Sequence, residues 1–242
     1  MEAAVAEVEH LKKSFGSNDV LKDINLKIEK GENLVVFGKS GSGKSVFIKC
    51  LVGLVEPDDG KVILFGKDIS GLKNEELNLV RKKVGFLFQS AALYDSMTVR
   101  ENLEFPLRDV RSKTKNEIDE LVKEALKNVG LEDAAEKMPA ELSGGMRKRI
   151  GLARTLILKP ELILYDEPTT GLDPITSKEI SQLILDVQKK FHAASIIITH
   201  DVDCARITAN RMMVIKDGTP VAEGSFKELS ESKNEWVHSF FE

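Results

Sequence analysis

Leu34-Val35-Val36-Phe37-Gly38-Lys39-Ser40-Gly41-Ser42-Gly43-Lys44-Ser45 is the stretch on which the fold turns. Four apolar residues read as a buried strand, and Val46 to Leu54 reads as a helix, so the octet between them opens a helix N-terminus. Two glycines spaced by four residues and followed by Lys and Ser match a loop that cradles phosphate. Glycine lets the backbone curl around an anion without Cβ interference, and the unpaired N–H groups of the first helical turn converge on it. Lys44 is long enough to reach β- and γ-phosphate oxygens, and the Ser45 hydroxyl suits Mg²⁺.

A second strand-like run, Leu162-Ile163-Leu164-Tyr165, ends in Asp166-Glu167. In an open α/β sheet, ligands bind at the carboxyl ends of the strands, which is where this pair lies. Adjacent acids at such an end point in different directions. Asp166 suits a hydrated Mg²⁺, and Glu167 suits polarising a water that attacks a γ-phosphate. A third run, Ser195 to Thr199, places His200 on the same edge, whereas His10, His192 and His238 read as surface or packing residues. With a helical stretch from Ile175 to Phe191 between the last two runs, strand, helix, strand alternation predicts parallel pairing in a sheet covered on both faces.

Outward from these motifs, Val5 to His10, Val20 to Ile28 and Val62 to Phe65 read as further strands, punctuated by Gly31, Gly60 and Gly66. From Thr98 to about Leu158 the apolar spacing becomes helical, with Thr114 and Glu117 placed as a capping box. No internal repeat or Gly/Ser linker separates two domains. The residues are 42% apolar and 31% charged, with a net charge of −4, as in an ordinary globular protein. Lys and Arg are spread along the chain, which argues against nucleic acid as a partner. Cys50 and Cys204 do not suggest a disulfide framework, and a reducing cytosol is expected. No stretch approaches the roughly twenty apolar residues of a membrane span.

Leu142-Ser143-Gly144-Gly145-Met146 opens another predicted helix, beginning near Arg147, and makes a second anion-binding nest. Together with the phosphate loop, Gln89, Asp166-Glu167, Gly171-Leu172-Asp173 and His200, in this order, it resembles the nucleotide-binding subunit of an ATP-binding cassette (ABC) transporter along nearly the whole chain. The resemblance implies an α/β P-loop NTPase of the ABC type: a mostly parallel core sheet, an N-terminal antiparallel β subdomain and a helical insert. One domain would span residues 1–242. Within it, about 1–90 and 159–225 would form the nucleotide-binding core with the β subdomain, about 91–158 the helical subdomain, and about 226–242 a C-terminal helix.

The resemblance also implies ATP and Mg²⁺, and a head-to-tail pair of copies in which each phosphate loop faces the partner's Ser143, Gly144 and Gly145 across a nucleotide. By it, Gly38, Lys39, Ser40, Gly41, Ser42, Gly43, Lys44 and Ser45 hold the phosphates, while Ser45, Gln89 and Asp166 serve the metal. Glu167, Gln89 and His200 would be catalytic, Asp173 would contact the second copy, and Phe15 would stack on adenine. A transmembrane permease would bind near Ala91, Ala92, Leu93, Tyr94 and Met97, holding the chain on the inner face of the cell membrane.

Gln89 to Val99 with Glu101-Asn102, Phe105-Pro106-Leu107 and Met146 is similar, more narrowly, to ATPases of Mce-associated phospholipid transporters, of the maintenance-of-lipid-asymmetry type. This implies lipid transport with an Mce-domain protein in the same system. An ATPase for amino acids, metals or lipoproteins would share every catalytic motif, and a nucleotide-dependent clamp on nucleic acid is the alternative from another class. The tail from Ser232 to Glu242, with Trp236, Val237, Phe240 and Phe241 at helical spacing, is expected to dock on its own core.

Overall fold

Asn33 to Phe37 is buried at every position, and so is Leu162 to Asp166, because both strands run through the middle of one sheet with helices on each face. The computed structural model describes residues 4–108 and 113–242. Strands β1 (Ala6–Phe15) and β2 (Asn18–Ile28) pair antiparallel; β3 (Asn33–Phe37) then leads through the glycine loop into helix α1 (Lys44–Leu51). Next come β4 (Asp59–Leu64), β5 (Lys67–Asp68), α2 (Asn74–Arg81) and β6 (Val84–Leu87). Helices α3 (Val99–Glu104), α4 (Lys115–Val129) and α5 (Gly144–Leu156) follow, joined partly by short 3₁₀ turns. The chain closes with β7 (Leu162–Asp166), α6 (Pro174–Phe191), β8 (Ala194–Thr199), α7 (Val202–Thr208), β9 (Arg211–Lys216), β10 (Thr219–Gly224), α8 (Phe226–Ser230) and α9 (Glu235–His238).

Two sheets result among the described residues: β2-β1-β4-β5, all antiparallel, and β10-β9-β3-β8-β7-β6, parallel except for the β9–β10 hairpin. Alternate side chains of the second sheet serve two cores. Leu34, Val36, Leu164, Ile196 and Ile198 pack with Phe47, Ile48 and Leu51 of α1 and with the antiparallel sheet. Val35, Phe37, Ile163, Tyr165 and Ile197 pack with Leu152 of α5 and with Ile180 and Ile184 of α6. A third cluster, including Leu103, Val122, Leu126 and Ile150, holds α3, α4 and α5 together.

Local chemistry explains where elements differ from the expected bounds. Helix α1 stops at Leu51 and not Leu54 because Gly53 turns into the left-handed region at φ 66°, while the Leu54 amide donates to the Lys49 carbonyl at 2.9 Å. Helix α5 begins at Gly144, ahead of Arg147, since Ser143 caps it by accepting from the Met146 amide. The Thr114–Glu117 capping box is present at the start of α4. The tail is not one helix: Asn234 accepts from the Trp236 and Val237 amides and starts α9 afresh after α8. It docks on its own core, with Val237 fully buried and Phe240 edge-on to Phe37 at 5.2 Å between centroids.

Asn102 organises the turn that leads into α3. It is fully buried, its Oδ1 accepts from the Tyr94 amide at 2.8 Å, and its Nδ2 donates to the carbonyls of Tyr94, Met97 and Thr98 at 3.0–3.1 Å. Asn102→Ala strands the Tyr94 amide and the Met97 carbonyl, while the Tyr94 and Thr98 carbonyls keep backbone donors, and each unpaired polar group away from water costs roughly 1–3 kcal/mol. The expected loss is about 3 kcal/mol in urea unfolding. A loss below about 0.5 kcal/mol, the range of an ordinary surface change, would show that the turn holds itself.

Candidate functional site

The glycine loop and the ends of β7 and β8 meet at the carboxyl edge of the parallel sheet. At Gly43 both backbone and space require glycine: its φ is 98°, and a Cβ there would stand 2.7 Å from the Val20 carbonyl oxygen. Lys44 is buried, and its ammonium donates to the carbonyls of Gly38 at 2.7 Å and Lys39 at 2.9 Å. Burial pulls its pKa down from the usual lysine value, while Glu167 and Asp166 pull it up. Ser42 Oγ, also buried in the loop, has no hydrogen-bond partner among the described residues.

Ser45 Oγ donates to Asp166 Oδ1 at 3.0 Å, joining the first turn of α1 to the end of β7. Burial holds the Asp166 carboxyl above its usual pKa, opposed by the Ser45 hydrogen bond and reinforced by Glu167. Glu167 follows in the left-handed region at φ 50°, a conformation that costs a non-glycine residue roughly 1–2 kcal/mol. The bend turns its carboxylate across the sheet edge. One oxygen lies 4.0 Å from the Lys44 ammonium; the other sits 2.8 Å from His200 Nδ1 and accepts from Thr170 Oγ1 at 3.2 Å.

A cleft of about 260 Å³ is lined by Ser40, Gly41, Gly43, Lys44, Ser45, Gln89, Glu167 and His200, together with Val20, Val46 and Thr170. Its polar lining combines a lysine, hydroxyls and a helix N-terminus against a carboxylate and an imidazole. That set suits a polyanion whose terminal group undergoes attack by water. A hydroxyl, a carboxylate and an amide oxygen are hard donors, so Ser45, Asp166 and Gln89 fit a small divalent cation that shares its shell with phosphate and water.

Other predicted site residues stand elsewhere. Ser143, Gly144, Gly145 and Asp173 do not line this cleft but cluster with each other: a Cβ on Gly145 would meet Thr176 Cγ2 at 2.5 Å, and Thr176 Oγ1 donates to Asp173 at 2.5 Å. That hydrogen bond, with those from the Ile175 and Thr176 amides, holds the Asp173 carboxyl below its usual pKa. Phe15 ends β1 outside the cleft, 51% exposed, with the Lys13 ammonium 5.3 Å from its ring centroid. Of the apolar stretch assigned to a permease, Ala91 is instead buried; Tyr94 remains 43% exposed and leans on Phe105.

Sequence reasoning missed Lys148. It sits in Arg147-Lys148-Arg149, which looks like a solvated basic face, yet it is buried and its ammonium donates to the carbonyls of Gln89 at 2.5 Å and Glu167 at 3.2 Å. Burial lowers its pKa to about 8 against the opposing pull of Asp166 and Glu167. Arg154, two turns on, donates to the carbonyls of Ala91 and Ala92 at 3.0 and 2.7 Å. Both alanines have positive φ, so this loop is pinned in a strained path by α5.

Residues 21–170 match the family described as ABC transporter. The chain is 46% identical over 206 residues to the probable ribonucleotide transport ATP-binding protein mkl of Mycobacterium leprae, covering 85% of this chain and 59% of that relative. It therefore spans less than two thirds of that relative's length. It is 38% identical over 240 residues to the intermembrane phospholipid transport system ATP-binding protein MlaF of Haemophilus influenzae, covering 99% of this chain and 91% of that one. Among solved structures, a dimeric post-hydrolysis state of the ATP-binding cassette MJ0796 bound to ADP and Pi superposes with a TM-score of 0.83 at 32% identity, over 91% of this chain and 98% of that chain.

Proposed function

This chain belongs to the ABC transporter family, and we propose that it is a subunit that binds and hydrolyses ATP, two copies closing on two nucleotides to drive a separate membrane permease. The observation that carries this is the setting of Glu167, whose carboxylate faces the phosphate-loop lysine on one side and His200 on the other. The glycine loop and Lys44 grip the β- and γ-phosphates. Ser45, Asp166 and Gln89 hold Mg²⁺, which neutralises phosphate charge when bound. Glu167 accepts a proton from the attacking water, and His200 steadies that carboxylate and the γ-phosphate.

Ser143, Gly144, Gly145 and Asp173 lie away from their own cleft, which favours their completing the site of a second copy, as expected for an isologous pair. The exposed ring of Phe15 is free to stack on adenine. The helical stretch 91–158 carries the permease contact, now centred on Tyr94 rather than Ala91. Among the described residues no helix is long and apolar enough to cross a membrane. The proposed permease places this chain on the inner membrane face.

For the cargo we propose phospholipid. The support is the Gln89–Leu107 and Met146 pattern together with the near full-length match to the MlaF relative; the mycobacterial relative named for ribonucleotides matches at higher identity over a smaller share of its length. Affinity purification of the assembled complex from native membranes, with mass spectrometry of the bound molecules, tests this. Phospholipid and an Mce-domain subunit are expected. A complex that carries amino acids or nucleotides, with neither of these, would overturn the lipid assignment and leave the ATPase reading standing.

A further inference from the structure

We propose that Lys148 is a positioning residue for hydrolysis: its ammonium ties the backbone of Gln89 to the backbone of Glu167 and holds both to the helix that starts at Gly144. The inference rests on the ATPase reading above. Strands β6 and β7 run parallel, with Leu87 paired to Tyr165. Gln89 and Glu167 are each two residues past that pair, where the ladder has ended; the Glu167 carbonyl accepts from the Thr170 amide at 3.3 Å, while the Gln89 carbonyl draws its donor from Lys148. Lys148, one turn into α5, supplies both hydrogen bonds from a buried position.

Burying an ammonium is costly, and a methionine of similar length would fill the same space without that cost. The lysine is therefore better explained by the two carbonyls it joins than by packing. One of them belongs to the residue proposed to polarise the water, the other to the residue proposed to reach the metal. Arg154 grips the carbonyls of Ala91 and Ala92 further along the same loop, so α5 holds it at two points six residues apart on the helix. The glycine-bearing N-terminus of α5 is the part that would meet the partner's nucleotide. A shift of this helix on closure would thus move Gln89 and Glu167 together.

The test compares Lys148→Met and Lys148→Arg with the unaltered chain by steady-state ATP hydrolysis and by amide hydrogen exchange. A misplacement of about 1 Å can cost around 100-fold in rate. Lys148→Met is accordingly expected to lower kcat by about 10- to 100-fold, with KM for ATP within about twofold because Lys148 does not touch the phosphate loop. Lys148→Arg should restore most of the rate. Exchange in Lys148→Met should quicken at residues 89–92 and 167–170 and stay unchanged in β1 and β2. Unaltered kcat, unaltered exchange at those two segments, or faster exchange throughout the chain with KM rising in step would each overturn the proposal. An unaltered chain that does not hydrolyse ATP would sink the ATPase reading instead, and the exchange result would then judge the tie by itself.

Discussion

Replacing Glu167 by Gln is expected to slow ATP hydrolysis by at least 100-fold while leaving nucleotide binding intact. Glutamine keeps the size of the side chain and an oxygen that can accept from Thr170, so the bent backbone at φ 50° has no reason to relax. What is lost is the charge that makes the carboxylate a base, and general-base assistance is worth typically 10²–10⁴ in rate. Phosphate release assays under saturating Mg-ATP measure the effect, with nucleotide affinity followed in parallel. Hydrolysis within threefold of the unaltered chain would remove Glu167 from its role and return the function to His200 or Gln89.

Lys44→Met should have its largest effect on binding. The ammonium lies buried beside two loop carbonyls and 4.0 Å from Glu167, and it is the buried cation that the phosphate loop itself brings to the cleft. Hydrogen bonds to charged groups contribute about 1.5–3 kcal/mol each, and two phosphate oxygens within reach give about 3 kcal/mol, or roughly 100-fold in affinity. The substitution also leaves Asp166 and Glu167 adjacent to one another without that cation, which raises the cost of bringing a polyanion close. Titration with a fluorescent ATP analogue checks the prediction, and circular dichroism confirms that the fold survives. An affinity within threefold of the unaltered chain would mean that backbone amides alone hold the nucleotide.

Much of this was legible in the sequence because the relevant signals are local. A glycine octet between a strand and a helix and an acid pair after an apolar run carry their meaning in consecutive residues. So does a histidine after Ile196-Ile197-Ile198-Thr199, and the sheet duly brings Lys44, Asp166, Glu167 and His200 to one edge. Strands β6, β9 and β10 escape such a reading for equally physical reasons. β6 is four residues long, contains Gly85 and lies at the sheet edge, so it lacks the β-branched run of the inner strands. β9 and β10 are joined by Asp217-Gly218, a turn signal that was present, but Pro220 weakens the second strand's pattern.

Lys148 was out of reach altogether. Nothing in Arg147-Lys148-Arg149 distinguishes the buried cation from its neighbours; its partners are 59 and 19 residues away and present only backbone. Ala91 was misjudged for the same reason, since Arg154 and Gly151 of α5 enclose it and only the tertiary fold brings them there.

The account depends on a nucleotide held between two copies, and the association state of the Glu167→Gln chain tests that most directly. Analytical ultracentrifugation with saturating Mg-ATP, over a range of chain concentrations, should show conversion from one copy to two, reversed when the magnesium is chelated. A chain that binds ATP with unaltered affinity and still sediments as a single copy at every concentration would contradict it.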